Sequence, residues 1–181
     1  MSTLGIVIPT IGRDSLERAV RSADQCADQT VVVADQCTVD GHYAAVQADV
    51  GCAGFARNVG AEHVWTEWLG FCDDDDQLLG APYRHAIELH PAVDMIVHTA
   101  WHPQLGPIPR PGWNLEHGNV TIAFTVKTKA FREEGGFIAG PPRTFRGEDY
   151  EMVRRFIDNG RIVVLSPPVA YLIRPEENPR L

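Results

Sequence analysis

Four consecutive aspartates, Asp73 to Asp76, close an apolar run, Trp68-Leu69-Gly70-Phe71-Cys72. Like charges packed this closely repel one another unless a cation offsets them, so the chemistry on offer is capture of a divalent ion by oxygen ligands. A short apolar run bounded by polar residues is the pattern of a strand buried on both faces of a parallel sheet. Open α/β sheets bind their ligands beyond the carboxyl ends of such strands. In a strand-like continuation, Asp73 and Asp75 point to one side and Asp74 and Asp76 to the other, so one pair could share the metal. A solvated acidic loop is the alternative, and placement directly after a buried strand favours the metal.

Three further positions belong with the acids. Thr10 follows the apolar segment Leu4 to Pro9, Asp35 follows Thr30 to Ala34, and Arg57 lies just ahead of the acid cluster. Taken singly, Asp35 is a turn or cap residue and Arg57 a surface charge. Brought to one rim by converging strand ends, they offer a carboxylate for a ribose or base edge and a guanidinium for a carbonyl. The paired acids would offer ligands for a metal holding a pyrophosphate, magnesium or manganese being the usual ion when few protein carboxylates and phosphate oxygens share it. Neither GxGxxG nor GxxxxGK[ST] occurs, so phosphate neutralisation falls to the cation.

Gly147-Glu148-Asp149 opens the last long helical pattern. Acids in a first turn suit the macrodipole and capping on their own. The glycine- and proline-rich preface, Gly136 to Arg143, is the composition of a loop that closes over a substrate. Such closure would set Asp149 beside an acceptor hydroxyl as general base. In the aperiodic stretch 101–118, Trp113 either stacks on a sugar face or pins the loop, and Trp101 packs. His117 either faces the site or is a hydrogen-bonded structural histidine.

The elements that must position these groups follow from periodicity. Leu4 to Pro9 is a strand. Leu16, Ala19, Val20 and Ala23 form a helical face opened by a capping box of Asp14 and Glu17, and Thr30 to Ala34 is a second strand, completing a βαβ unit. One short strand is expected within 38–50, a helix over 54–64 with Ala56, Val59, Gly60 and His63 on its face, and a strand over 68–72. Pro82 starts a helix to Leu89. Strands follow at 93–99 and 120–126, a short helix at 127–134, a helix from Asp149 to Gly160, and strands at 162–165 and 169–173. The expected fold is α/β, one domain over 1–181, with a mostly parallel sheet flanked by helices.

With 181 residues, 44% hydrophobic and 22% charged, the chain suits one globular domain. A net charge of −8 argues against holding nucleic acid or anionic membrane by bulk electrostatics. Arg143, Arg146, Arg154, Arg155 and Arg161 leave room for a local basic groove. No stretch has the ~20 apolar residues of a membrane span, and the N-terminus lacks a signal-peptide pattern, so a cytoplasmic protein is expected. Cys26, Cys37, Cys52 and Cys72 form no CxxC pair and are expected as reduced thiols.

The ordered segments Ile6-Val7-Ile8-Pro9-Thr10, Val32-Val33-Ala34-Asp35, Ala56-Arg57-Asn58-Val59-Gly60, Phe71-Cys72-Asp73-Asp74-Asp75-Asp76 and Gly147-Glu148-Asp149-Tyr150-Glu151 resemble family 2 inverting glycosyltransferases of the GT-A, Rossmann-like fold. The resemblance covers about residues 4 to 165. It implies a donor half over about 1–100 and an acceptor half over about 101–173. It implies a nucleoside-diphosphate sugar donor, most often UDP-linked, bound by Thr10, Asp35, Arg57, Asp73 and Asp74. The divalent ion, Mn2+ or Mg2+, would sit on Asp75 with Asp73. Asp149, beside Glu148, would take the acceptor proton in an inverting hexosyl transfer, with Trp113 and His117 toward the acceptor. Where the family commonly has Asp-Asp-Gly-Ser, this chain has Ala34-Asp35-Gln36-Cys37, so the nucleoside contact differs. The compressed acceptor half points to an acceptor on a macromolecule or to a partner, a second copy included, that completes the site. A nucleotidyltransferase on a similar sheet and a non-catalytic sugar-nucleotide module are the competing readings.

Overall fold

The computed structural model describes residues 1–39, 43, 45–110, 112, 119–138 and 147–175. Trp113, His117, Arg143 and Arg146, and most of the expected closing loop, lie outside the described residues. The first strand, β1 (Leu4–Thr10), is buried along its whole length, as its Ile and Val content requires. The helix α1 (Leu16–Asp24) lays Leu16, Ala19, Val20 and Ala23 against it. The expected capping box is absent: Ser15 is the N-cap and makes no side-chain cap hydrogen bond. β2 (Gln29–Asp35) then pairs in parallel with β1.

β3 (Ala45–Ala48) extends this sheet in parallel on one side, and β4 (Trp68–Phe71) on the other. Between them runs α2 (Ala53–Glu62), which buries Gly54, Ala56, Arg57, Gly60 and Ala61. The expected face through Val59 and His63 is therefore rotated, because Gly60 sits on the sheet: a Cβ there would lie 2.8 Å from the Val33 side chain. The two-residue β5 (Gln77–Leu78), which the sequence pattern does not reveal, follows the acids, then α3 (Gly80–Leu89) and β6 (Met95–His102). β7 (Gly106–Ile108) pairs back onto β6 within the stretch expected as loop.

β8 (Phe124–Lys127), α4 (Thr128–Glu133), α5 (Glu148–Asp158) and β9 (Val163–Leu172) complete the chain. The two final strands expected from the sequence are one strand: β9 carries Pro167 and Pro168 through register shifts opposite His98 to Ala100. Sheet order among the described residues is β3-β2-β1-β4-β8-β6-β9-β5, with β7 on β6. Most paired residues are in parallel register, with β8, β5 and β7 joined antiparallel. The expected α/β fold with helices flanking a mostly parallel sheet is the one found. β1, β2 and β4 run in one direction, so Thr10, Asp35 and the acids arrive at the same rim.

One aromatic cluster backs that rim. The Phe71 ring lies 5.7, 5.6 and 5.1 Å from those of Phe124, Phe131 and Phe137. Among the described residues no helix is long and apolar enough to cross a membrane. All four cysteines are free thiols. Arg154, Arg155 and Arg161 face Asp158, Glu151 and the Glu133–Glu134 pair, so these three form no open basic groove.

Candidate functional site

The acidic run is a turn, which corrects the strand-like alternation expected of it. The Asp76 N–H donates to the Asp73 carbonyl at 3.0 Å, and this closure swings Asp76 round to the side of Asp73 and Asp75. Oxygens of those three carboxylates lie within 4.8 Å of one another. Hard oxygen donors at this spacing fit magnesium or manganese. Asp74 turns the other way and is buried: it accepts from the Thr10 hydroxyl at 2.6 Å and from Arg13. Asp76 accepts from the Arg174 N–H at 2.9 Å, and the buried Tyr171 hydroxyl accepts from the Asp73 N–H at 3.0 Å. Burial, reinforced by Asp73, pushes the Asp76 carboxyl up to about 7.

Each residue of Arg57-Asn58-Val59-Gly60 that faces inward has a mechanical task. The Arg57 guanidinium donates to Asp73 with one nitrogen and to Glu148 with another, so it joins β4's acids to the start of α5. It is buried, stands 5.4 Å from the centroid of the Phe137 ring, and its Nε has no hydrogen-bond partner among the described residues. Burial disfavours its charge, but Asp73, Asp149 and Glu148 outweigh that and raise its pKa. Asn58 exchanges two hydrogen bonds with the Phe137 backbone. Gly54, one turn earlier, leaves room for Glu148, whose carboxylate would lie 2.5 Å from a Cβ there.

Two clefts meet at the acid turn. The first, about 360 Å³, is lined by Thr10, Asp35, Arg57, Asp73, Asp74 and Asp75, together with Arg13 and Arg174. All five expected donor residues and the expected metal ligands thus share one concavity. Asp35 is also a turn acceptor, as its sequence context allows: its Oδ1 takes the N–H groups of Val50 and Gly51 at 2.8 and 3.2 Å. The second cleft, about 240 Å³, is lined by Asp73, Asp75, Asp76, Asp149, His102 and Arg174 among others. The Oδ1 of Asp149 is buried there and has no hydrogen-bond partner among the described residues. Burial pushes the Asp149 carboxyl up to about 7, Arg57 opposing and Asp73 and Glu148 adding to the rise. A larger cavity of about 650 Å³ lies along α1 and, among the described residues, shares only Arg13 with the first cleft.

The sequence reading missed Arg13, His102, Tyr171 and Arg174. Arg174 carried a usable signal, since it follows β9 much as Thr10 closes β1. His102 ends β6, and its Nδ1 accepts the N–H groups of Gln104 and Leu105 at 3.1 and 3.3 Å. That arrangement leaves Nε2 as the protonated nitrogen of the neutral ring.

No protein-family model matches the chain, and no curated protein sequence does. Solved structures match its fold. S. aureus TarS 1-349 superposes with a TM-score of 0.71 at 20% identity, over 97% of this chain and 61% of that one. The same TarS fragment in complex with UDP gives 0.68 at 18% identity, over 97% and 62%. In complex with UDP-GlcNAc it gives 0.69 at 18% identity, over 94% and 58%. This chain therefore spans about three fifths of the TarS fragment, and at these identities the likeness is one of fold.

Proposed function

We propose that the protein is a metal-dependent, inverting glycosyltransferase of the family 2 type, which moves a sugar from a nucleoside diphosphate to a hydroxyl. The observation that carries this is the sharing of Asp73 and Asp75 by two clefts, one holding the expected donor residues and the other Asp149. A sugar nucleotide laid in the first cleft has its diphosphate at the acid turn and its sugar toward the second. That TarS binds UDP and UDP-GlcNAc on the same fold supports uridine-linked donors as the first to try.

Asp35 and the walls around Thr10 receive the nucleoside. The Thr10 hydroxyl already serves Asp74, and Asp74 in turn anchors Arg13, so both shape the cleft as well as line it. Asp73, Asp75 and Asp76 would hold Mn2+ or Mg2+, which would supply positive charge to offset the negative charge developing on the departing diphosphate. Asp149 accepts the proton of the acceptor hydroxyl while its oxygen attacks the anomeric carbon. The bond from that carbon to the diphosphate oxygen breaks on the opposite face, and the configuration inverts. Glu148, held by Arg57, fixes the start of α5 and so the place of Asp149. Trp113 and His117 are assigned to the acceptor side.

The test is product identity. Purified protein with a panel of nucleotide sugars and manganese should release nucleoside diphosphate, and EDTA should abolish the release. Pyrophosphate as product would indicate nucleotidyl transfer instead, and no release with any donor would leave only a binding module.

A further inference from the structure

Arg174 is the one cationic side chain among the described residues that lines both clefts. Its backbone N–H is fixed on Asp76, and its Nε lies 3.4 Å from Asp75 Oδ2. Arg13 comes within 3.9 Å of the same oxygen while its hydrogen bond goes to Asp74. Both side chains are about half exposed, at 47% for Arg13 and 52% for Arg174, and Arg13 is anchored on the buried Asp74 through one of its nitrogens. The third guanidinium of the site, Arg57, is buried and committed to Asp73 and Glu148.

Charge decides what the two exposed guanidiniums are for. Asp73 to Asp76 and Asp149 bring more negative charge to the clefts than Arg13, Arg57 and Arg174 offset, before any diphosphate arrives. A single divalent ion cannot neutralise both the acids and an incoming diphosphate. A guanidinium presents a donor fork that matches two phosphate oxygens, and Arg174 stands where the two clefts join.

We propose that Arg174 and Arg13 form a clamp on the diphosphate of the donor, releasing the Asp75 oxygen they share as the phosphate enters. This rests on the sugar-nucleotide reading above. Arg174 then lies closest to the oxygen that leaves the anomeric carbon, where fixed positive charge favours departure.

Calorimetric titration of UDP, uridine and inorganic pyrophosphate separates the possibilities, in EDTA and again with manganese. Arg174→Gln should weaken UDP and pyrophosphate by about tenfold or more in both conditions, with uridine changed by less than about twofold. Arg13→Gln should do the same, and Arg174→Lys should recover part of the loss. Unchanged UDP affinity in folded Arg174→Gln, or equal losses for UDP and uridine, would overturn the clamp alone. Wild-type protein that binds neither pyrophosphate nor any nucleoside diphosphate would overturn the sugar-nucleotide reading itself.

Discussion

Asn58 and Phe137, 79 residues apart, are joined by two hydrogen bonds of 2.8 Å each: the Asn58 amide donates to the Phe137 carbonyl and accepts its N–H. The side chain thus behaves like a short piece of sheet edge. It fixes the chain beside Arg57 on one side and ahead of the Glu148–Asp149 segment on the other.

Asn58→Ala removes both bonds and leaves a partly buried N–H and C=O unpaired. The expected cost is about 2 kcal/mol, which for a chain of this size lowers the melting temperature by roughly 4–8 °C. Urea unfolding measures it, and an unchanged midpoint would show that the clamp contributes nothing.

Arg57→Met strands two carboxylates, Asp73 and Glu148, without their shared partner. Removing one member of a fully buried ion pair costs about 3–5 kcal/mol, and with Asp73 and Glu148 about a third exposed the loss here should be smaller, about 2 kcal/mol. Arg57→Lys keeps the charge but cannot reach both acids, and should recover only part of the loss. Equal stability of all three proteins would contradict the bridging role.

Asp149 couples activity and stability in opposite directions. Its folded carboxyl is held up at about 7 against an ordinary value of 3.8, chiefly by burial. A raised acid contributes stability that is present below the unfolded value and is lost as pH rises through about 7. Asp149→Asn should therefore melt higher than wild type by a few degrees (~3 °C) at pH 8 without added metal, and show little gain near pH 4. Sugar transfer should fall by about 10²-fold or more. A variant that kept full turnover would remove Asp149 from the proton path.

His98 shows the reverse sign. It is fully buried, stacked 4.1 Å from the Tyr83 ring centroid and paired with Thr125, while its Nδ1 has no partner among the described residues. Burial pushes it down to about 3, from 6.5. Stability from the neutral ring is present above about 6.5 and is lost as pH falls toward 3, at up to about 1.4 kcal/mol per pH unit. Replacing it with leucine should cost stability at pH 8 and flatten the acid side of the curve. Parallel slopes for wild type and His98→Leu between pH 6 and 4 would refute this.

The sheet was legible because β1, β2 and β4 are written as apolar runs that end at Thr10, at Asp35 and two residues before Asp73. Strand direction alone then carries those residues to one rim. What stayed hidden depends on contacts far apart in sequence. The turn bond from Asp76 to Asp73 brings Asp76 toward the metal side, against the alternation expected, whereas Asp74 keeps the opposite side and meets Thr10 and Arg13. The burial of Arg57 comes from Asp73 and Glu148 closing on it, which no local pattern encodes. β9 looked like two strands because Pro167 and Pro168 interrupt its apolar run, yet its register on β6 resumes beyond them.

The central claim is that a cation held by the acid turn joins the two clefts through a diphosphate. Crystals grown with UDP and manganese test this by anomalous diffraction at the manganese edge. The account predicts a peak at coordinating distance from carboxylate oxygens of the Asp73–Asp76 turn, touching the diphosphate, with the nucleoside against Asp35. UDP bound elsewhere, or bound there with no manganese at the turn, would contradict it.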